Sequence, residues 1–223
     1  MDRPSLSRQA ICDRLAAEFE DGWVVNLGAG LPTLCANYTF EDRTVFLHSE
    51  NGVLGVGPRA APGKQDVHLI NAANEFVTLI PGAAILNHAD SFALVRGGRL
   101  DATVLGAFEV ACNGDFANWK LGGRKGGAIG GAMDLAIGAR RVYIAMEHTT
   151  KQGTSRLKTR CALPITAAGR MTALMTNLGL FVPKGDHFLL LEIAHGWTVE
   201  EIKTLTGAPV EVAADLREVR VFE

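Results

Sequence analysis

A carboxylate set where an apolar strand gives way to a turn can serve as a nucleophile, as an acid or base, or as a hook for a ribose. Glu50 is such a residue, in the run Leu47-His48-Ser49-Glu50-Asn51-Gly52-Val53-Leu54-Gly55. The apolar segment Thr44 to Leu47 leads into it, and small residues follow it. Open α/β sheets hold ligands in the crevice outside the carboxyl ends of their strands. Three readings compete. An ordinary acid at a strand end is solvated or salt-bridged. A dinucleotide site would place Glu50 on a ribose after the turn Gly28-Ala29-Gly30. That fingerprint is incomplete, because its third position is Thr33, preceded by Pro32. The third reading makes Glu50 a nucleophile on a carbonyl carbon.

Other residues offer supporting chemistry. Gly130-Gly131 closes a loop, 122–131, with six glycines in ten residues. Backbone N–H groups at a helix start can face a developing oxyanion, although glycine pairs also simply mark turns. No Gly-Lys-Ser/Thr follows, so the loop is not a phosphate-binding Walker loop. Asn26 ends an apolar run, where it could orient a neighbour or bond its own backbone. His48 shares a strand face with Glu50, but a carboxylate is already ionised at neutral pH and needs no base, so His48 is assigned to packing around the site. Glu147-His148 ends another apolar run, at the same sheet edge as Glu50, and a structural hydrogen bond is the plainer role there. Lys151, Arg156, Lys158 and Arg160 make a basic excursion, of a kind that is usually just solvated.

Strands and helices must alternate to position these groups. Ser5 or Ser7 can cap a helix reaching about Glu20, with Ile11, Leu15 and Phe19 as its buried stripe. Strands are predicted at residues 23–27, 45–49, 66–71, 76–80 (stopped by Pro81-Gly82), 102–110, 141–146 and 187–194. Pro32 suits the first turn of a helix, and residues 132–137 form a helix directly on the glycine loop. Residues 149–160 read as an exposed hairpin-like excursion. Thr198 to Glu201 matches a capping box, for a helix ending near Thr206-Gly207. The alternation predicts an α/β fold with a mainly parallel open sheet and helices on both faces, over one domain spanning residues 1–223.

The bulk numbers exclude several classes. At 223 residues and 48% apolar composition the chain is long and hydrophobic enough to bury a core without staples. A net charge of −2 gives no case for nucleic acid or an anionic membrane surface. The four cysteines (Cys12, Cys35, Cys112 and Cys161) have no metal-ligand or redox-pair spacing, so no metal is expected and free thiols in a cytoplasm are. No apolar run reaches the ~20 residues of a membrane span.

Beyond these arguments, the chain resembles family I CoA transferases, in the B subunit, the half that carries the catalytic glutamate. The resemblance rests on Asn26-Leu-Gly-Ala-Gly-Leu-Pro32, Ser49-Glu-Asn-Gly-Val-Leu-Gly-Val-Gly-Pro58, Arg96-Gly-Gly-Arg-Leu-Asp101 and Leu105-Gly-Ala-Phe-Glu-Val110. Gly114-Asp-Phe-Ala-Asn-Trp119, Gly130-Gly-Ala-Met-Asp-Leu135 and Ala145-Met-Glu-His-Thr149 extend it over almost the full length. It implies a doubly wound fold and a ping-pong exchange of coenzyme A between a short acyl-CoA, such as succinyl-CoA, and a 3-oxo acid of the 3-oxoacid or 3-oxoadipate type. It implies that Glu50 forms a covalent glutamyl-CoA thioester, that Gly131 with Gly130 makes the oxyanion hole, and that Asn26, Gly28, Gly30, Asn51 and Gly52 bind substrate or coenzyme A. Gly52, Gly55 and Gly57 would let a bulky thioester approach the backbone. A coenzyme A thioester is then substrate, with no permanently bound cofactor. The implied partner is the A subunit of such an enzyme, in a heterodimer or heterotetramer. Relatives often carry Gly-Lys or Gly-Gln near Ala73-Asn74, where this chain has no cation. Ala128 also stands where glycine is frequent. The change at Ala128 leaves open thioester hydrolysis by the same glutamate, and the fold, which does not fix function, leaves open a ligand-binding or sugar-phosphate isomerase relative.

Overall fold

The computed structural model describes residues 5–123 and 126–221. Ser7 starts the first helix, α1 (Arg8–Ala16), by accepting a hydrogen bond from the Ala10 N–H at 3.1 Å. Ile11, Leu15 and Phe19 are buried, as the four-residue spacing predicts. The helix stops at Ala16 rather than Glu20. Tighter bonds from Glu18 N to Leu15 O and from Phe19 N to Ala16 O end it and still turn Phe19 into the core.

The strands that follow are β1 (Val24–Leu27), β2 (Phe46–Ser49), β3 (Val53–Arg59), β4 (Val77–Ile85), β5 (Leu100–Leu105), β6 (Glu109–Ala111) and β7 (Phe116–Ala117). After them come β8 (Ala139–Met146), β9 (Leu157–Lys158), β10 (Ala173–Thr176), β11 (Gly179–Pro183), β12 (Phe188–Ile193) and β13 (Val210–Glu218). The remaining helices are α2 (His88–Arg96), α3 (Ala132–Gly138) and α4 (Val199–Leu205). Pro32 opens a 3-10 helix, Leu31–Asn37.

Ten strands form one sheet in the order β13-β12-β11-β10-β8-β5-β1-β2-β3-β4. Its centre, β2-β1-β5-β8-β10, is parallel throughout. The flanks add antiparallel pairs at β2-β3, β3-β4, β10-β11 and β11-β12. The parallel centre aligns the carboxyl ends of its strands along one rim of the sheet. Alternate residues of the strands feed two cores. Tyr143 and Ala145 of β8 face the core under α1, while Val142, Ile144 and Met146 face the core with α3. The predicted α/β architecture with helices on both faces therefore stands.

Several local expectations need correction. Residues 53–59, to which no element was assigned, form strand β3, so Glu50 sits on a three-residue hairpin tip. Residues 66–71 make only an isolated bridge, Ile70 to Phe76. The strand after it runs through Pro81-Gly82 to Ile85, because β4 is a sheet edge where a missing N–H costs no ladder bond. Residues 102–110 split. β5 ends at Leu105, and Glu109–Ala111 joins β7 and β9 in a small second sheet. α2 lies in a stretch for which no element was predicted.

Candidate active site

The rim of the parallel centre opens into a cleft of about 530 Å3. Glu50, Gly28, Ala72, Gly106, Gly130, Gly131, Glu147 and Arg156 are among the residues that line it. The wall thus combines turns after β1, β2, β5 and β8 with the glycine loop, whose residues 124–125 lie outside those described.

Glu50 projects from the β2–β3 hairpin and is half-buried. Gly52 makes that tight turn possible. Its φ is +123°, and a Cβ there would lie 2.2 Å from the Leu86 carbonyl oxygen. Burial pushes the Glu50 carboxyl above its ordinary range. The His88 charge opposes that rise and the Asp134 charge adds to it. Asp134 itself is held low by hydrogen bonds from Arg96, the nearer at 2.9 Å. A poorly hydrated carboxylate at the wall of a cleft is a stronger nucleophile than one in bulk water.

Gly131 is the closest neighbour in kind. It is the N-cap of α3, and a Cβ there would sit 2.3 Å from Glu50 Oε2 and 2.7 Å from Phe92 Cζ. The absent side chain is what admits the carboxylate. As an N-cap, its N–H has no intrahelical acceptor. Gly130 precedes it with φ +52° and shares the cleft wall.

The remaining sequence candidates divide. Gly28 lines the cleft and packs on β5, with its N–H donating to Val104 O at 2.9 Å. Gly30 is exposed and starts the 3-10 helix with φ +89°. Asn51 points away and donates to Ile70 O at 2.8 Å. Asn26 lies beneath the cleft, fully buried, and its amide is occupied by His48 and Thr103. Gly52, Gly55 and Gly57 serve packing of β4 and its exit on β3: a Cβ would meet Leu86 O, Ala83 Cα or Thr78 Oγ1 within 3 Å. His148 is buried and bonded to Thr176 and Thr206, the structural role expected of it. Of the basic excursion, Arg156 reaches the cleft wall, where Arg8 also lies.

Sequence reasoning missed Ser91, Thr103, Phe92 and Asp134. Asn87, which caps α2 by accepting from the Asp90 N–H at 2.9 Å, was the readable signal for the helix that carries Ser91 and Phe92.

Comparison with known proteins fits this geometry. Residues 8–205 match the sequence pattern that defines the Coenzyme A transferase family. The chain is 47% identical to the B subunit of 3-oxoadipate CoA-transferase from Pseudomonas putida, over 92% of this chain and 96% of that protein. It is 44% identical to the B subunit of succinyl-CoA:3-ketoacid coenzyme A transferase from Helicobacter pylori, over 92% and 99% respectively. An acyl-CoA transferase apoenzyme from Escherichia coli O157:H7 shares the fold with a TM-score of 0.74 at 20% identity, covering 99% of this chain and 44% of that one. With this match over residues 8–205 and these identities over most of its length, the chain belongs to the coenzyme A transferase family.

Proposed function

We propose that Glu50 is the covalent relay through which this chain, as the glutamate-bearing half of a two-subunit transferase, passes coenzyme A from a short acyl-CoA such as succinyl-CoA to a 3-oxo acid of the 3-oxoacid or 3-oxoadipate type. The observation that carries the reading is the half-buried Glu50 carboxylate, set against Gly131 in the cleft at the sheet rim.

In the first step the Glu50 carboxylate attacks the thioester carbonyl and coenzyme A leaves as thiolate. This gives an acyl-glutamyl anhydride. The thiolate then attacks the glutamyl carbonyl, releases the first acid and leaves a glutamyl-CoA thioester. An incoming acid carboxylate repeats the two steps in reverse, which frees Glu50 and delivers the new acyl-CoA. An anhydride keeps thioester-level reactivity that water would dissipate, so the site must exclude water. Each tetrahedral stage places negative charge on an oxygen. The Gly131 N–H, with Gly130 shaping the turn before it, is the donor assigned to that oxyanion; losing one such donor typically costs about 2.7–4 kcal/mol of barrier. Gly28 and Ala72 form nearby wall, and Arg8 and Arg156 are cationic side chains on it for an acid group of the substrate.

Relatives named as B subunits imply a companion A subunit, and the cleft is open on this chain alone. The active form is a heterodimer or heterotetramer, and the isolated chain is weakly active or inactive. The test is to mix this chain with its companion subunit and succinyl-CoA, digest, and look for coenzyme A mass on the Glu50 peptide. An adduct on another residue, or none, overturns the assignment. Free-acid release without any acceptor acid would instead mark a hydrolase.

A further inference from the structure

We propose that His48 and Ser91 are positioning residues for Glu50, acting through a buried hydrogen-bond chain of fixed direction that ends on the Glu50 backbone carbonyl. The inference rests on Glu50 being the nucleophile.

Thr103 Oγ1 lies 3.0 Å from Asn26 Oδ1, Asn26 Nδ2 lies 3.1 Å from His48 Nδ1, and His48 Nε2 lies 2.9 Å from Ser91 Oγ. Ser91 Oγ then lies 2.8 Å from Glu50 O. Thr103, Asn26, His48 and Ser91 are each 0% exposed, so water cannot supply alternative partners.

Both ends of the chain fix its direction. At the Glu50 end, a carbonyl oxygen only accepts, so the single Ser91 hydroxyl proton goes there. Ser91 Oγ must then accept from His48, which puts a proton on Nε2. At the other end, Asn26 Nδ2 also lies 3.3 Å from the His48 carbonyl oxygen, which again only accepts. That contact identifies the NH2 side of the amide, so His48 Nδ1 must accept and carry no proton. The two constraints are independent and give the same neutral tautomer. Burial agrees, pushing the His48 imidazole down to about 4.

The fixed point is mechanically apt. Residues 50–52 form the hairpin tip, closed by Gly52 N to Ser49 O at 3.0 Å. The Ser91 bond holds the peptide that follows Glu50 from the first turn of α2, while β1 and β5 supply the far end of the chain. A rotation of that peptide would swing the Glu50 side chain relative to Gly131. Misplacing a reacting group by about 1 Å can cost about a hundredfold in rate.

The test follows the two ring nitrogens separately in the complex with the companion subunit. In His48→Gln the side-chain amide N–H can replace Nε2–H toward Ser91. In His48→Asn the amide oxygen can replace Nδ1 toward Asn26, but nothing reaches Ser91. Single-turnover formation of the Glu50–CoA adduct should stay within about fivefold of wild type for His48→Gln and fall about a hundredfold for both His48→Asn and Ser91→Ala, with KM for the acyl-CoA nearly unchanged. Ser91→Ala removes one hydroxyl and decides the matter if a histidine variant misfolds. Equal losses in the two histidine variants, or an unchanged rate in Ser91→Ala, overturn the inference while leaving Glu50 as the nucleophile. Absence of the adduct in the wild-type complex overturns both. In 15N spectra of the free chain, a protonated His48 Nδ1 would reverse the chain's direction and reject the inference directly.

Discussion

Under α1, Arg14 and Glu192 are both buried and both charged; under the Glu50 hairpin, Asn26, His48 and Ser91 are just as buried and all neutral. The Arg14 guanidinium grips Glu192 with two bonds, at 2.7 and 2.8 Å, and Arg217 adds a third at 2.9 Å. Burial would raise the Glu192 carboxyl, but the hydrogen bonds and charges of Arg14 and Arg217 prevail and hold it low. This bridge ties α1 to β12, away from the cleft. The neutral chain does the opposite work. It fixes the position of Glu50 without adding a charge beneath it, so the ionisation of Glu50 is left to burial, His88 and Asp134. Charge is placed in structure away from the cleft, and is absent from the buried chain beneath the carboxylate proposed to react.

The sharpest way to break this division is at Glu50 itself. Glu50→Gln should lower transfer by about four orders of magnitude or more, while unfolding free energy stays within about 0.5 kcal/mol of wild type. Denaturant melts and initial rates on the same preparation check both halves. A variant that unfolds would mean that Glu50 is structural. At the charged site the expected pattern inverts. Arg14→Met should cost about 1.5–3 kcal/mol of stability, since the buried Glu192 loses two charged hydrogen bonds and keeps only Arg217, yet leave transfer per folded molecule unchanged. Because the Glu192 pKa is depressed in the folded state, its stabilisation is present at neutral pH and is lost as pH falls through the carboxylate range. The stability gap between wild type and Arg14→Met should therefore narrow in acid. A gap that widens in acid would refute the assignment.

The same contrast explains what was legible in the sequence. α1 was readable because Ser7 and the Ile11-Leu15-Phe19 spacing are local signals. Four strands of the parallel centre, β1, β2, β5 and β8, were readable from their apolar runs, and Glu50 from its place after one of them; β10 (Ala173–Thr176) was not predicted. Both buried polar networks were invisible, because their partners are far apart in sequence: Arg14 meets Glu192, and Asn26 meets Thr103 and His48. No spacing rule reports such pairs. The packing role of the β3 glycines was hidden for a related reason. Gly55 looks like a place for a ligand to approach, but the neighbour that needs its missing side chain is Ala83 on the adjacent strand. Pro81 marked a strand end only on the assumption that both sides of β4 are paired, and one side is the sheet edge.

Gly131 tests the boundary between the two kinds of packing. Its φ of −89° suits any residue, so Gly131→Ala is not a backbone problem. The added methyl would instead land 2.3 Å from Glu50 Oε2 and displace the carboxylate. A loss in kcat of about a hundredfold is expected, with the backbone N–H retained. The same variant should unfold within about 1–3 kcal/mol of wild type, the usual range for overpacking. An unchanged kcat would show that the carboxylate has room to move and that its contact with Gly131 is incidental.

The smallest effect concerns charge rather than position. As the proposed nucleophile, Glu50 must be a carboxylate, so transfer should fall on the acid side as it becomes protonated, and the limb of kcat/KM against pH reports that step in the free enzyme. Its raised pKa places this limb above the ordinary glutamate value of 4.5. Asp134→Asn removes a negative charge that favours the protonated form, and it leaves the Arg96 cation without its partner. Both changes favour the carboxylate, so the limb should move to lower pH. The shift should be small, because the larger cause, burial, is untouched. Replacing His88 with alanine should move the limb the other way, since that charge favours the carboxylate. His48→Gln, by contrast, should leave the limb where it is, because a neutral side chain replaces a neutral one. A limb that follows His48 rather than Asp134 and His88 would mean that the buried chain tunes the charge of Glu50, and the separation of position from charge would not hold.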